Sequence, residues 1–525
     1  MSISNSKLPV AFQLAGYAQA NAPKPKLGID EAYKGIRNRL RKYSATSIVE
    51  VALKILWAPH ENLVDEVRHA PWLTLLIVKW ALQDNGVQLR VGPPISIQEF
   101  DRLRQDLWDL PDLVRDGNRP TNVFLMMRSL MHVQVEFQRN EGWGFLRWPA
   151  LYARLPKGHK SRQQFRDALG VEPNVFLDLV YGLYAAVLIG EMPFNGDWLS
   201  PFRRTYGADV DRVYDIFVRD LISLRCELQK DQAQRIRGRH ELQEFPYLKR
   251  FPLLRQRDGR LHCWHRLVFA RGVEEAVHLK LSEEFGEHYS LSFSRVFEQY
   301  VTELAAETGK PHLTEAEYKA NIGGDAPSVE VIFDGDDCNV FVEAKMSLFA
   351  DDVLLQDNQN AAYTKTKRVR EGIGQGWRVG RLLRETAQFG NRFHKAQDFL
   401  LVVTSRELIL GSGEMLQRLY EPDKFDYPDA EAAARMPLTN VFVLSIEDYE
   451  CLVGCMRAGE VDISVLLKKS SEANKDGATA RLFFSDFLKE YTNKWTQPTL
   501  VTKARNEAEE RMLEVFENMG EQPNA

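Results

Sequence analysis

The sequence predicts an α+β protein: a large α-helical N-terminal region, then a segment bearing short strands, then a C-terminal helical extension. Three observations predict this. From about Asp30 to Gly190 apolar residues recur at helical spacing, as in SATSIVEVALKILWA (44–58). Between Ser328 and Lys345 apolar and polar side chains alternate on either side of a turn, as in a hairpin of two strands. Two further apolar runs, FLLVVTS (399–405) and NVFVLSIEDYECLV (440–453), read as a strand and as a strand followed by a helix.

Taken in order, residues 1–28 form an N-terminal segment with Pro23 and Pro25 near its end. Residues 29–260 form the helical region, whose surplus length suggests regulation or partner binding. It opens with IDEAYKGIRNRLRKYS, basic at positions 34, 37, 39, 41 and 42. PWLTLLIVKWAL (71–82) has the apolar density of a buried helix. In ISIQEFDRLRQDLWDL (95–110) the Ser96 hydroxyl can cap a helix, and Glu99 completes a capping-box pattern. The methionine stripe of NVFLMMRSLMHVQVEFQR (122–139) reads as core packing. The tract 161–190 has the outline of a helix-turn-helix with its turn at Gly170, but the second helix is too apolar to read a DNA groove.

Between Arg235 and Arg260 eight basic residues face three acidic ones, a local net of +5, with Phe245, Tyr247 and Phe251 interleaved. Such a stretch could track a nucleic-acid strand or could be a solvated connector, and composition does not choose between them. The strand-bearing domain is expected over 261–467. A polar linker (468–480) and helices rich in charge fill 468–525.

Composition narrows the function classes. A chain of 525 residues with 44% apolar and 27% charged residues has room for two or three domains with substantial cores. The net charge of −5 excludes a general polycation, so contact with nucleic acid would rest on local basic patches. Cys226, Cys263, Cys338, Cys451 and Cys455 are scattered, and neither the Cys451–Cys455 pair nor the His262, Cys263, His265 cluster has the partners of a zinc site. Scattered thiols and a start without a secretory pattern lead us to expect a cytoplasmic protein. The longest uncharged run of the apolar region, Leu179 to Gly190, is too short to span a bilayer. No Walker-type phosphate loop is present.

The chemistry concentrates in SVEVIFDGDDCNVFVEAK (328–345). Asp334-Gly335-Asp336-Asp337 supplies the turn, and antiparallel pairing would bring Glu330, Glu343 and Lys345 together at one edge of a sheet. Two carboxylates beside one lysine are costly if buried idle and natural around a divalent cation, whose ligands are oxygens. The bland alternative for Glu343 and Lys345 is a solvent-facing charge pair. A second Glu-x-Lys, Glu317-Tyr318-Lys319, lacks the preceding strand and turn and reads as an ordinary strand or loop.

The spacing acidic–x12–Glu-x-Lys on a hairpin resembles the PD-(D/E)XK nuclease superfamily. The likeness covers about residues 285–460. SFSRVFEQYVTELAAE (292–307) resembles the first family helix, with Glu298 as its acidic residue, and the alternative for Glu298 is a surface glutamate. TKTKRVREGIGQGWRVGRLLRE (364–385) resembles the basic helix after the Glu-x-Lys strand, with Gln375 at a position where some subfamilies carry glutamine. Glu330 stands where the family usually has aspartate.

The resemblance implies a restriction-endonuclease-like α/β domain, a mixed sheet flanked by helices. It implies Mg2+ or Mn2+ held by Glu330, Glu343, Glu298 and the carbonyl of Ala344, with Lys345 orienting the attacking water and Gln375 assisting. Lys365, Lys367, Arg368, Arg370, Arg378, Arg381 and Arg384 would form a cationic belt on the phosphate backbone. The glycines at 372, 374, 376 and 380 are unusual inside a helix and imply either close backbone approach or a broken helix. The expected activity is hydrolysis of DNA phosphodiesters, with RNA as the other substrate. The expected setting is a regulated, oligomeric effector of prokaryotic anti-phage defence that acts with a partner subunit. The rival is a partner-binding scaffold that keeps the fold without catalysis.

Overall fold

The computed structural model describes residues 29–61, 69–113, 122–138, 143–234, 239–242, 244–324, 326–347, 359–420, 430–492 and 497–520. It is an α+β structure in which helices surround two mixed sheets. The segment 1–28 and Arg235 to Gly238 lie outside the described residues.

Among the described residues the first helices are α1 (Ile29–Leu40), α2 (Ala45–Leu56), α3 (Pro71–Gln83), α4 (Ile97–Leu113) and α5 (Val123–Gln138). α3 is buried along its whole length, as its apolar density predicts. α4 starts with half of the expected capping box. The Ser96 hydroxyl accepts the Glu99 N–H at 3.2 Å, but the Glu99 carboxylate reaches Arg39 of α1 at 2.9 Å instead of returning to its own cap. An arginine within reach offers a bond in which both partners are charged, which a backbone amide does not.

Next come α6 (Gly144–Ala153), α7 (Lys160–Leu169) and α8 (Pro173–Ile189). α7 ends at Gly170, whose φ of +74° is the left-handed conformation that a helix terminus uses. α8 buries Phe176, Leu177, Leu179, Val180 and Leu183 in the core, so it presents no reading face. Among the described residues no single helix is long and apolar enough to cross a membrane.

α9 (Arg203–Tyr206) and α10 (Asp209–Phe217) lead into a small sheet of β1 (Val218–Asp220), β2 (Leu253–Arg255) and β3 (Leu261–Cys263), with α11 (Leu221–Gln234) between the first two strands. β1 and β2 run parallel, and β2 and β3 antiparallel. The described part of the basic segment 235–260 is thus packed structure rather than a solvated connector. Phe245 is buried and stacks on Phe137 with ring centroids 5.4 Å apart, and Lys249 pairs with Glu275 at 2.6 Å. His262, Cys263 and His265 are buried there too.

α12 (Arg266–Glu307) contains the expected helix 292–307 as its second limb, broken from the first at Gly286, whose φ of +51° leaves the helical region. The larger sheet follows, built from β4 (His312–Thr314), β5 (Val331–Asp334), β6 (Cys338–Lys345), β7 (Gln397–Thr404), β8 (Gly411–Ser412) and β9 (Val441–Ser445). Its order is β4-β5-β6-β7-β9-β8. The β4-β5-β6 pairs are antiparallel, β6-β7-β9 are parallel, and β8 closes the edge antiparallel to β9. β6 is therefore an interior strand, and Glu343 and Lys345 lie at its end rather than at a lateral edge of the sheet.

Among the described residues the intervening helices are α13 (Glu315–Ile322), α14 (Gln359–Lys365), α15 (Lys367–Glu385), α16 (Gly413–Gln417) and α17 (Ala430–Arg435). The second Glu-x-Lys is on α13, neither strand nor loop. Thr314 and Glu317 form its capping box, and Lys319 pairs with Glu315 at 2.6 Å. The chain ends with α18 (Ile446–Arg457), α19 (Ile463–Asn474), α20 (Phe484–Leu488) and α21 (Thr499–Gly520). α19 takes up half of the expected linker, because Ser470, Ser471 and Asn474 share a buried side with Leu466 and Leu467.

Each face of the larger sheet meets a different core. Val331, Phe333, Val340, Val342 and Ala344 point toward α12 and α18. Ile332, Phe341, Leu400 and Val402 point toward α15. The first of these cores continues through α6, α7, α8 and α10 to α21 without a break near 260 or 467.

Candidate active site

Glu330 comes just before β5, and its backbone is fixed from three sides. The Tyr318 hydroxyl accepts the Val329 N–H at 2.6 Å and donates to the Val329 carbonyl at 2.8 Å. The Glu330 N–H reaches the Val342 carbonyl at 3.0 Å, and its own carbonyl accepts from Glu315 N–H at 3.0 Å. The next rung of the β5–β6 ladder would fall at Ala344. There the Glu330 side chain substitutes for backbone: its Oε2 accepts the Ala344 N–H at 2.6 Å. The carboxylate therefore sits in the notch where the two strands part. A residue's N–H and C=O point the same way along a strand, so the Ala344 carbonyl faces that notch as well.

Glu343 lies opposite Glu330 when the Val331–Val342 pairing is extended by one residue. Its side chain is 2% exposed and forms an ion pair with Lys345, itself 19% exposed at the side chain. α15 covers this pair by close backbone approach. A Cβ on Gly372 would stand 3.1 Å from Glu343 Cγ and 3.2 Å from Lys345 Cε. Successive turns repeat the approach: a Cβ on Gly376 would meet Leu400 at 3.0 Å, and one on Gly380 the Phe341 ring at 3.4 Å. Three of the four glycines thus let an unbroken helix settle on β6 and β7, while Gly374 faces Arg378.

The electrostatics follow from burial. Desolvation pushes the Glu330 carboxyl well above the usual range, and the neighbouring Glu343 charge pushes it further. Glu343 is raised to about 7 by desolvation, with Lys345 holding it lower than burial alone would. Glu298, on the second limb of α12, raises both through its charge, yet its own hydrogen bond is from Ser294 Oγ at 3.0 Å. The structure therefore brings Glu330, Glu343 and Lys345 together and leaves Glu298 near them but apart. Gln375 is on α15, less than one turn past Gly372, half-buried.

Glu343 Oε2 at this place, and Gln375 Oε1 on α15, are each buried with no hydrogen-bond partner among the described residues. An orphaned oxygen on one of two crowded carboxylates fits a hard cation in donor type, since Mg2+ and Mn2+ take oxygen ligands. Among the described residues, however, no group of three or more His, Cys, Asp or Glu side chains is arranged to hold a metal ion. The two carboxylates would need the Ala344 carbonyl and water to complete a ligand shell.

The cationic belt divides. Lys365, Lys367, Arg368, Arg378 and Arg381 are exposed on α14 and α15. Arg384 is not part of that surface: it is buried against Asp398 at 2.6 Å, and Asp398 also accepts from Asn339 at 2.7 Å, which braces β6 against β7. Arg370 is half-buried, with its guanidinium 3.4 Å from the Tyr363 ring centroid and a bond of 2.8 Å to the Tyr363 carbonyl. Both are used inside the fold.

Sequence reading did not find Tyr318, which fixes the approach to Glu330, because its partner Val329 is eleven residues away. The Thr314-x-x-Glu317 capping box was available as a signal that this tract is helical. Comparison of the chain with protein-family models, with curated proteins and with solved structures returns no match.

Proposed function

We propose that this chain is a divalent-cation-dependent nuclease with a restriction-endonuclease-like domain, hydrolysing DNA phosphodiesters. The observation that carries the proposal is the notch at the end of β5 and β6, where Glu330 and Glu343 are buried side by side with Lys345. Burying two carboxylates with one ammonium is unfavourable unless further positive charge arrives.

Glu330, Glu343 and the Ala344 carbonyl would hold Mg2+ or Mn2+, with Glu298 close enough to steady it through space. A cation bound there would supply Lewis acidity toward a phosphoryl oxygen and a lowered pKa for water. The chain's own residues do the rest. Lys345 orients the attacking water and offsets the negative charge that develops on the phosphoryl group. Gln375 Oε1 accepts a hydrogen bond from that water. Gly372 keeps α15 close enough to exclude bulk solvent from the pair. Lys365, Lys367, Arg368, Arg378 and Arg381 hold the sugar-phosphate backbone without reading its sequence.

The helical region before the small sheet regulates this site or binds a partner subunit, and the setting is a cytoplasmic effector of prokaryotic anti-phage defence. That setting rests on the resemblance of the hairpin and its flanking helices. One observation favours the rival, a scaffold that keeps the fold without catalysis: Lys345 is already engaged by Glu343.

The test is purified full-length protein with supercoiled plasmid, and separately with RNA, in MgCl2 or MnCl2, beside Lys345→Ala. Cation-dependent cleavage that drops at least ~100-fold in the variant supports the nuclease. Absence of cleavage on both substrates, or a variant as active as wild type, overturns it.

A further inference from the structure

A cavity of about 40 Å3 lies at the carboxyl ends of the parallel strands, where Ser347 follows β6, Ser405 follows β7 and Ser445 ends β9. Ligands of open α/β sheets bind on that side. The volume is a little above a water molecule's share of the liquid, roughly 30 Å3, so it admits a group of ammonium size. The Ser405 hydroxyl accepts the Ser347 N–H at 2.9 Å, and the Ser445 hydroxyl accepts the Asp448 N–H at 3.2 Å. A hydroxyl oxygen has two lone pairs, so each can accept once more.

The lining carries a surplus of negative charge. Arg271 of α12 is shared by Glu274 at 2.7 Å, Glu136 of α5 at 2.8 Å and Glu447 of α18 at 3.8 Å. The remaining charges balance: Glu275 and Glu407 stand with Arg406 and with Lys249, which reaches Glu275 at 2.6 Å. One guanidinium among three carboxylates leaves two negative charges over, on side chains no more than 12% exposed. Such a surplus is costly unless positive charge arrives.

A second observation is independent of these acids. His278 of α12 lines the cavity and is 8% exposed. Its Nδ1 meets the Tyr289 hydroxyl, and its Nε2 has no hydrogen-bond partner among the described residues. The imidazole is neutral, because burial lowers its pKa to about 3, with Arg147 and Arg406 adding to the effect. With Nδ1 donating to Tyr289, Nε2 presents a buried lone pair that lacks an N–H.

We propose that this cavity binds the ammonium group of a primary amine, which donates to His278 Nε2 and offsets the charge of Glu136, Glu274 and Glu447. An ammonium brings three donors and no acceptor, which suits a lining of carboxylates, hydroxyls and an imidazole lone pair. A metal ion suits it less. It would need ligands converging at roughly 2.0–2.6 Å, and among the described residues no group of three or more His, Cys, Asp or Glu side chains is arranged to hold one. Glu136 is on α5 and Glu447 on α18, so the ligand would tie the helical region to the helix after the last parallel strand. The proposal stands apart from the nuclease reading and uses none of its residues.

The experiment follows methylammonium on the full-length protein by saturation-transfer NMR at about pH 8, in wild type, Glu274→Gln and His278→Phe. Tetramethylammonium, which has no N–H, is the control cation. A ligand of two non-hydrogen atoms is expected to bind with a Kd on the order of 10 mM. Transfer should saturate, be displaced by ammonium chloride but not by sodium chloride, and be absent for tetramethylammonium. Each variant should bind roughly 10-fold more weakly, since each removes a charge or an acceptor that meets the ammonium. Glu274→Gln keeps the shape of the side chain and decides the question if His278→Phe does not fold. Competition by Nα-acetyl-lysine methylamide would assign the ammonium to a lysine of another chain, and its failure to compete would assign it to a free amine. Equal transfer to both cations, or unchanged affinity in Glu274→Gln, overturns the proposal.

Discussion

Arg147 on α6 and Glu450 on α18 form a buried two-bonded ion pair, Nε to Oε1 at 2.5 Å and Nη2 to Oε2 at 2.6 Å. The Tyr300 hydroxyl of α12 donates to the same Oε1 at 2.6 Å. The pair joins a helix of the first half of the chain to the helix that follows the last parallel strand. Other bonds run in parallel. Arg128 of α5 donates to the carbonyls of Leu408 and Ile409 at 2.6 and 2.7 Å, and Arg511 of α21 grips Asp178 of α8 at 2.7 Å. The helical region is thus bonded directly to the loop after β7 and to the helix after β9.

Arg147→Met should destabilise the protein by about 3–5 kcal/mol, because it leaves Glu450 buried without its counter-charge. Since one core runs through both halves, the loss should appear in a single unfolding transition. Urea unfolding followed by tryptophan fluorescence and by far-ultraviolet circular dichroism checks this. Two separated transitions, with the sheet outlasting the helices, would show instead that the halves fold apart.

The hairpin was legible because its signals are local: alternation of apolar side chains and an Asp-Gly turn. The spacing of Gly372, Gly376 and Gly380 was visible too, but not its cause. That cause is Glu343, Leu400 and Phe341 on strands up to about forty residues away. The placement of Glu330 was half legible. Pairing register puts it opposite Glu343, but its capture of the Ala344 amide depends on Tyr318 turning the chain away one residue earlier. The second half of α19 reads as linker because serines and asparagine look solvated in sequence, and only packing against Asn440 and its neighbours reveals that side as buried. Composition likewise treats Arg384 and Arg381 as equals, although Arg384 is buried against Asp398 while Arg381, three residues earlier, is exposed.

That difference is measurable. Arg384→Ala should cost on the order of 3 kcal/mol, since Asp398 would remain buried without its partner. Arg378→Ala and Arg381→Ala, both exposed, should shift stability by no more than about 0.5 kcal/mol. If these two hold phosphates, each substitution lowers the slope of log affinity against log salt by about 0.9 on duplex DNA and about 0.7 on a single strand. Fluorescence anisotropy with labelled oligonucleotides over a salt series reads the slope. An unchanged slope would remove these arginines from the binding surface.

A final prediction concerns pH and a site away from the carboxylate pair. Arg271 of α12 is met by Glu274 at 2.7 Å, by Glu136 of α5 at 2.8 Å and by Glu447 of α18 at 3.8 Å. These groups border a cavity of about 40 Å3 that Trp148, His278, Ser347, Ser405 and Arg406 also line. Three carboxylates around one guanidinium leave an excess of buried negative charge. Desolvation raises the Glu274 carboxyl from 4.5 to about 7; Arg271 opposes that rise and Glu447 adds to it. The unfolded chain therefore releases the Glu274 proton at lower pH than the folded one. Stability from this group is complete below about pH 4.5, falls as pH rises toward about 7, and levels off above that. Glu274→Gln keeps the shape and an acceptor for Arg271 but has no proton to lose. The difference in unfolding free energy between wild type and variant should move in the variant's favour by on the order of 2 kcal/mol between pH 5 and pH 7.5. Urea unfolding at four pH values across that window tests it, and parallel curves would mean that Glu274 is ionised throughout. Because Glu136 and Glu447 bring α5 and α18 to the same guanidinium, protonation of Glu274 at lower pH should tighten the seam between the helical region and the strand ends.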